Sequence, residues 1–319
     1  MGKITEKDRK ILLELSNNCR IPATQLGKKV GVSREVADYR VKRLVKLGVI
    51  KDFIAEINLD ALGYTKTVVY LELKRITKKR EEEINDYLTK HPFTTWIATS
   101  AGKWSLIFDI HARDTKQLIT IINELKHFLA ENLGEYRLVT LEDHEHFLSK
   151  YFNGTTSPTT YTQKKLDADD RELLKLLAKN GRMEYVAIST ILKKTPEAIS
   201  KRVKNLLQHG IIKRFHIFPD LKKLGYNIYN VQVKLEDTKQ DMEIRFLQNL
   251  RDHPKVCFYY KPVSGQWTIE FGVFVKHPGE FKMFMQELRN HFPDHVRVHD
   301  VVVFYEEIKG NYLPEGVFQ

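Results

Sequence analysis

Pro22-Ala-Thr-Gln-Leu-Gly-Lys-Lys-Val-Gly-Val-Ser-Arg-Glu-Val-Ala-Asp-Tyr-Arg-Val-Lys-Arg-Leu-Val-Lys-Leu-Gly48 is the stretch on which the fold turns. Pro22 suits the first position of a helix, where the amide hydrogen it lacks would have no helical partner. That helix ends near Gly31. Ser33 has the short hydroxyl side chain that caps a new helix, which runs to about Leu47 and stops at Gly48. Upstream, Thr5 caps a first helix with Ile11, Leu12 and Leu15 on its apolar face. Helix, tight turn and capped helix form a helix-turn-helix signature. Val49 to Leu59 follows as an extended stretch in the place of a wing.

The pattern occurs twice. Shifted by 162 residues, Asp8-Arg9 meets Asp170-Arg171, and Leu12 and Leu15 meet Leu174 and Leu177. Asn18 and Arg20 meet Asn180 and Arg182, and Arg40-Val41-Lys42 meets Arg202-Val203-Lys204. Leu62-Gly63-Tyr64 meets Leu224-Gly225-Tyr226, all without a gap. Register held this long marks a tandem duplication. In the second copy Thr195 takes the cap role, Pro196 follows it and Gly210 stops the helix. Asn153-Gly-Thr-Thr-Ser-Pro-Thr-Thr160, polar and without periodicity, reads as a flexible linker.

The rest of each copy alternates strand and helix. In the first, Thr67–Lys74, Thr94–Ser100, Lys103–His111 and Tyr136–Glu142 are strand-like, and Lys79–Leu88 and Thr115–Glu131 are helical. In the second, the strands are Tyr229–Leu235, Val256–Tyr260, Trp267–Val275 and Val296–Tyr305, and the helices are Met242–Leu250 and Glu280–His291. The order βαββαβ is ferredoxin-like. The fold class is therefore α+β: two copies of a winged helix-turn-helix followed by a ferredoxin-like βαββαβ domain. The expected boundaries are 1–62, 63–151, a linker at 152–165, 166–224 and 225–319.

Across 319 residues, 52 Lys and Arg stand against 41 Asp and Glu, a formal charge of +11. At 42% hydrophobic the chain is too apolar for a disordered one. It has no run near the ~18 apolar residues of a membrane span, and its charged N-terminus lacks an apolar export core. Two cysteines, Cys19 and Cys257, make no disulfide framework, so a cytoplasmic protein is expected. The charge is not spread evenly. Residues 1–64 hold 13 basic against 8 acidic residues, and residues 166–226 hold 13 against 7. Lys164 and Lys165 add two more, whereas the first βαββαβ stretch is neutral and the second slightly acidic. Basic helix-turn-helix modules beside near-neutral sheet domains point to duplex DNA as the partner.

A turn of 100° per residue sorts the third helix. Val36, Ala37, Val41, Leu44 and Leu47 fall toward a core. Asp38, Tyr39, Lys42, Arg43 and Lys46 fall outward, with Ser33, Arg34 and Glu35 at the end that meets base edges. The expected DNA-binding residues are Ser33, Arg34, Tyr39, Lys42, Arg43 and Lys46, with Lys201, Lys204 and Asn205 in the less cationic second copy. Arg40 and Arg202 project toward the apolar side, where a guanidinium needs a partner. An ion pair with Asp8 and Asp170 is expected there rather than a DNA contact.

Asp8-Arg-Lys-Ile-Leu, Asn18 to Arg20, Val30-Gly-Val-Ser33, Arg40-Val-Lys-Arg-Leu44 and Gly48-Val-Ile50 resemble the Lrp/AsnC family of transcription regulators. The resemblance covers nearly the whole chain, twice. It implies a ligand-responsive, RAM-type ferredoxin-like domain that pairs sheet to sheet and binds small effectors, often amino acids, between such units. It also implies a homo-oligomer or, in a duplicated chain, an intramolecular pseudo-dimer. Family turns typically read Gly-Asp-aromatic-Asp, whereas Gly102-Lys-Trp-Ser105 and Gly265-Gln-Trp-Thr268 stand here. The acids that would hold an amino group are missing, and the effector carry-over stops at Gly102 and Gly265. His144-Glu-His146 and His295-Val-Arg-Val-His299 have no companions at ligand spacing, so no metal, cofactor or enzymatic activity is expected. Two alternatives stand beside the regulator: an enzyme similar to the siroheme decarboxylases, which pair two related units, and an architectural DNA binder without an effector.

Overall fold

Each predicted helix-turn-helix forms, but like parts gather with like rather than copy by copy. The computed structural model describes residues 4–154, 160–162, 164–236, 240–293, 295–310 and 313–318. Part of the expected linker, residues 155–159 and 163, lies outside them. One compact unit holds residues 1–64, 152–224 and 311–319, and the other holds 65–151 and 225–310.

In the first unit, α1 (Glu6–Asn17), α2 (Ala23–Val30) and α3 (Arg34–Lys46) lead into β1 (Ile50–Ile57). Their counterparts are α6 (Ala168–Lys179), α7 (Tyr185–Leu192), α8 (Pro196–Gln208) and β6 (Ile212–Pro219). Thr5 closes a capping box with Asp8 on α1, and Ser33 and Thr195 cap α3 and α8. The expected wings find their partners across the copies: β1 pairs antiparallel with β6 in a two-stranded sheet. The contacts around that sheet come in matched pairs. Cys19 N donates to Phe215 O at 2.9 Å, and Gly181 N donates to Phe53 O at 2.7 Å. Asn58 N donates to Ile211 O at 2.8 Å, and Asp220 N donates to Val49 O at 2.9 Å. Each pair is related by the 162-residue shift, so the two helix-turn-helix copies form one body with a pseudo-two-fold axis. Arg20 adds a further tie, donating to Gly181 O at 2.6 Å and Met183 O at 3.0 Å while lying over the Tyr185 ring.

The second unit is an eight-stranded closed barrel with strand order β10-β3-β4-β2-β5-β8-β9-β7. The first copy supplies β2 (Thr65–Leu73), α4 (Lys78–Lys90), β3 (Thr94–Ser100), β4 (Leu106–Ala112), α5 (Thr115–Leu129) and β5 (Leu133–His146). The second supplies β7 (Asn227–Leu235), α9 (Gln240–Asp252), β8 (Val256–Pro262), β9 (Ile269–Val275), α10 (Pro278–His291) and β10 (Val296–Gly310). Each copy keeps the ferredoxin-like order, and the closure comes from the last strands. β5 pairs with β2 through Thr140 and with β8 from Leu141 onward. β10 pairs with β7 through Phe304 and with β3 from there to Gly310. Both strands run longer than the sequence reading, because their second halves are organised by the other copy.

Alternate residues of each strand serve two layers. Val69, Leu71, Leu106, Phe108 and Ile110 pack with Ile84 and Leu88 of α4 and Ile121, Ile122 and Leu125 of α5. A matching core holds Val231, Val233, Ile269, Phe271 and Val273 against α9 and α10. The intervening residues of β2, β4, β7 and β9 include a buried polar network: Lys66, Tyr70, Asp109, Asn230, Gln232 and Glu270. Lys66 Nζ lies 2.7 Å from Asp109 Oδ2 and 2.9 Å from Tyr260 OH. Glu270 accepts from Tyr70 OH and, at 2.7 Å, from Asn230 Nδ2. Burial pushes the Glu270 carboxyl up to about 7. No helix among the described residues is long and apolar enough to cross a membrane.

Candidate nucleic-acid interface

Asp8 organises the reading helix of the first copy. Its side chain is fully buried and accepts from Thr5 N at 2.9 Å and Thr5 Oγ1 at 2.8 Å. Arg40 Nη1 reaches Asp8 Oδ1 at 2.9 Å, and Arg43 Nη1 reaches Oδ2 at 3.2 Å. Burial opposes the charge, but the hydrogen bonds from Thr5 and the pairing with Arg40 outweigh it and hold the carboxyl below its usual range. The expected Arg40–Asp8 pair is therefore present. Arg43 corrects the outward assignment: it sits on the flank of α3 that faces α1, and its long side chain folds back onto the carboxylate. Val36 corrects the inward one. It is exposed, because Ala37, Val41 and Leu44 already fill the buried stripe.

The remaining expected contacts of α3 share one exposed face. Arg34, Tyr39, Lys42 and Lys46 are all exposed, Tyr39 to 67%. Lys42 Nζ lies 2.8 Å from Asp38 Oδ2, one turn before it. Ser33 is exposed too, and its hydroxyl accepts from Val36 N at 3.3 Å as the helix cap.

The second copy rebuilds this arrangement with different parts. Arg202 Nη1 reaches Asp170 Oδ1 and Asp167 Oδ2, both at 2.8 Å. Asn205 occupies the position of Arg43, and Lys164 replaces the missing cation, 2.6 Å from Asp170 Oδ2. Lys164 is thus tied to α6 rather than adding free charge to a linker. Lys201 and Lys204 are exposed on α8, and Asn205 is half-buried.

The two effector glycines separate. Gly102 has φ +97°, a backbone region that suits glycine. It lines a cleft of about 650 Å³ with Glu81, Asn85, Trp104, Tyr305 and Glu306 among its walls. Gly265 lies in the β8–β9 turn without a positive φ. Of the histidines considered above, His146 Nε2 lies 3.2 Å from Tyr260 OH and His299 stacks near Trp267. Among the described residues no cluster of three or more His, Cys, Asp or Glu is placed to hold a metal ion.

Sequence reasoning missed the polar interior of the barrel. The signal was present in Lys66 and Tyr70, polar residues on one face of a strand whose centre is otherwise apolar. Their partners come from strands far along the chain.

The fold, with its two helix-turn-helix copies, defines a protein of the helix-turn-helix, DNA-binding class. An AsnC-type helix-turn-helix model matches residues 4–45, and a winged helix-turn-helix DNA-binding model matches residues 166–213. By these matches the first copy carries an AsnC-type helix-turn-helix and the second a winged helix-turn-helix, and the chain is similar to HTH-type transcriptional regulators. It is 29% identical over 124 residues to an uncharacterised HTH-type transcriptional regulator of Pyrococcus horikoshii, covering 38% of this chain and 83% of that one. A regulator of the same description from Pyrococcus abyssi is 42% identical over 72 residues, covering 23% of this chain and 49% of its own length. Among solved structures, siroheme decarboxylase NirDL in complex with an iron-uroporphyrin III analogue aligns over 97% of this chain and 94% of that one. Its TM-score is 0.62 at 13% identity, a likeness of fold.

Proposed function

We propose that the chain is a sequence-specific, DNA-binding transcription regulator in which two fused helix-turn-helix copies engage one duplex. The observation that carries this reading is the exposed face of α3, where Arg34, Tyr39, Lys42 and Lys46 stand together on a module that holds much of the chain's positive excess. Arg34 and Tyr39 lie toward the end of the helix that meets base edges. Lys42 and Lys46 are placed for phosphates, with Lys201, Lys204 and Asn205 as the second set. Ser33 serves first as the helix cap, with a backbone or phosphate contact as its added role. Arg43 contributes by fixing α3 on α1 rather than by touching DNA.

The cleft at Gly102 is the proposed effector site. Glu81 and Glu306 supply the acidic groups that the Gly102-Lys-Trp-Ser105 turn lacks, which favours an effector with a cationic group. Gly265 is left out of this site.

Duplex binding measured against salt tests the reading. Phosphate contacts give a log–log slope of roughly −0.9 per contact. Replacing both Lys42 and Lys46 with Ala is expected to flatten the slope by about two contacts, with the melting temperature little changed. Absence of binding at low salt would sink the regulator.

The alignment to NirDL over nearly the full chain favours a second reading, a siroheme-decarboxylase-like enzyme. Its test is direct: titration of the purified protein with an iron tetrapyrrole, followed by its absorption band. A saturable band shift at one equivalent would support the enzyme.

A further inference from the structure

The two reading helices belong to one body and differ where a reading helix meets bases. The antiparallel β1–β6 sheet and the paired contacts from Cys19 and Gly181 relate them by a pseudo-two-fold axis. The 162-residue shift then compares α3 with α8 position by position. Inward residues are kept: Arg40 matches Arg202, Val41 matches Val203 and Leu44 matches Leu206. Outward residues change: Arg34 becomes Pro196, Asp38 becomes Ser200, Tyr39 becomes Lys201 and Lys46 becomes Gln208.

The second face is not a blank that has lost its cations. Lys204 repeats Lys42, and Lys201 is a cation that the first copy lacks at Tyr39; both are exposed. Asp38 neutralises Lys42 at 2.8 Å, whereas Ser200 leaves no carboxylate one turn before Lys204. The preceding helices differ in the opposite sense, since Thr190 and Ile191 of α7 stand where α2 has Lys28 and Lys29, the latter paired with Glu14 at 2.6 Å. Base edges are read by particular side chains at particular positions, so two different outward faces on one body cannot prefer the same sequence.

We propose that the chain recognises an asymmetric duplex site: two half-sites of different sequence, in inverted orientation, at one fixed spacing. This rests on the DNA-binding reading above. Asp38 and Tyr39 of α3, with Ser200 and Lys201 of α8, are the residues that set the difference. Lys28, Arg34 and Lys46, exposed and without a cationic counterpart in the second copy, make the first half-site the more salt-sensitive one.

The experiment is selection of binding sites by the full chain from a pool of random duplexes, repeated with a variant carrying Asp38→Ser and Tyr39→Lys. Both positions are exposed, so the variant is expected to fold, and circular dichroism checks that it does. The wild type is expected to select a non-palindromic motif with two distinct half-sites. The variant is expected to select a more palindromic one, with the first half-site shifted toward the second. Its affinity for the original first half-site should fall by roughly tenfold or more, the scale of a lost base contact. A palindromic wild-type motif, a motif with one half-site only, or a variant whose motif does not move would each overturn the proposal. Complete absence of DNA binding by the wild type at low salt is a separate result. It would remove the DNA-binding reading itself, and the asymmetric site with it.

Discussion

At Asp8, one carboxylate accepts from the helix cap Thr5 and faces both Arg40 and Arg43. Asp8→Ala would leave two guanidiniums facing a buried gap and break the capping box. Both arginines keep part of their surface in water, so the loss should be smaller than for a fully buried pair. Chemical denaturation is expected to show about 1–3 kcal/mol, and Arg40→Ala should show a similar direction. A second residue-scale prediction concerns Glu270, whose carboxyl is raised from 4.5 to about 7 by burial. Its folded form holds a proton that the unfolded chain gives up first. Its contribution is therefore present below pH 4.5 and is lost as pH rises through 7. All three tryptophans, Trp96, Trp104 and Trp267, lie in the barrel unit, so tryptophan fluorescence follows that unit. The wild type minus Glu270→Gln difference in barrel stability should fall across pH 4.5 to 7; a flat difference would contradict the assignment. The sequence made the outward positions of Arg34, Tyr39, Lys42 and Lys46 legible, because helical periodicity alone decides them. It misplaced Arg43 and Val36, because each sits near the edge of the buried stripe. There a neighbouring helix, not the period, decides which way a side chain turns.

At the scale of elements, helix caps and most boundaries were legible: Thr5, Ser33 and Thr195 act as local signals and need no tertiary context. The final strands were not. Asp143-His-Glu-His146, past the strand read to Glu142, is too polar for the pattern to extend that strand, yet its backbone is organised by β8 of the other copy. β1 and β6 show the same limit, since extended sequence names a strand but not its partner. Gly181 marks how closely those partners approach. A Cβ there would lie 2.5 Å from Ile54 C, a backbone atom that has no room to give. Gly181→Ala is expected to destabilise the paired helix-turn-helix unit by about 1–3 kcal/mol in thermal or chemical denaturation. Gly279→Ala on α10, where nothing lies within 4 Å, should be neutral or stabilising by up to ~1 kcal/mol. Equal losses from both would show that the close approach at Gly181 is not what constrains it.

For the whole molecule, the sequence revealed the duplication and the order of elements but not how the copies combine. The 162-residue repeat by itself allows two beads in series as well as the pseudo-dimer or homo-oligomer that the family resemblance implies. The structure sorts the chain by kind, with helix-turn-helix copies in one unit and ferredoxin-like copies in another. A repeat cannot announce this, because pairing within a copy and between copies buries the same apolar faces. The shared β1–β6 sheet has a consequence for dosage. Two separately made subunits must meet before they can grip DNA, so occupancy of a site rises with roughly the square of their number when they are scarce. On the DNA-binding reading proposed above, the second reader arrives on the same polypeptide, and dilution does not part it from the first. Occupancy should climb in simple proportion to protein, with a Hill coefficient near one in a titration at low concentration. A cell could keep such a regulator at very few molecules without losing its paired grip.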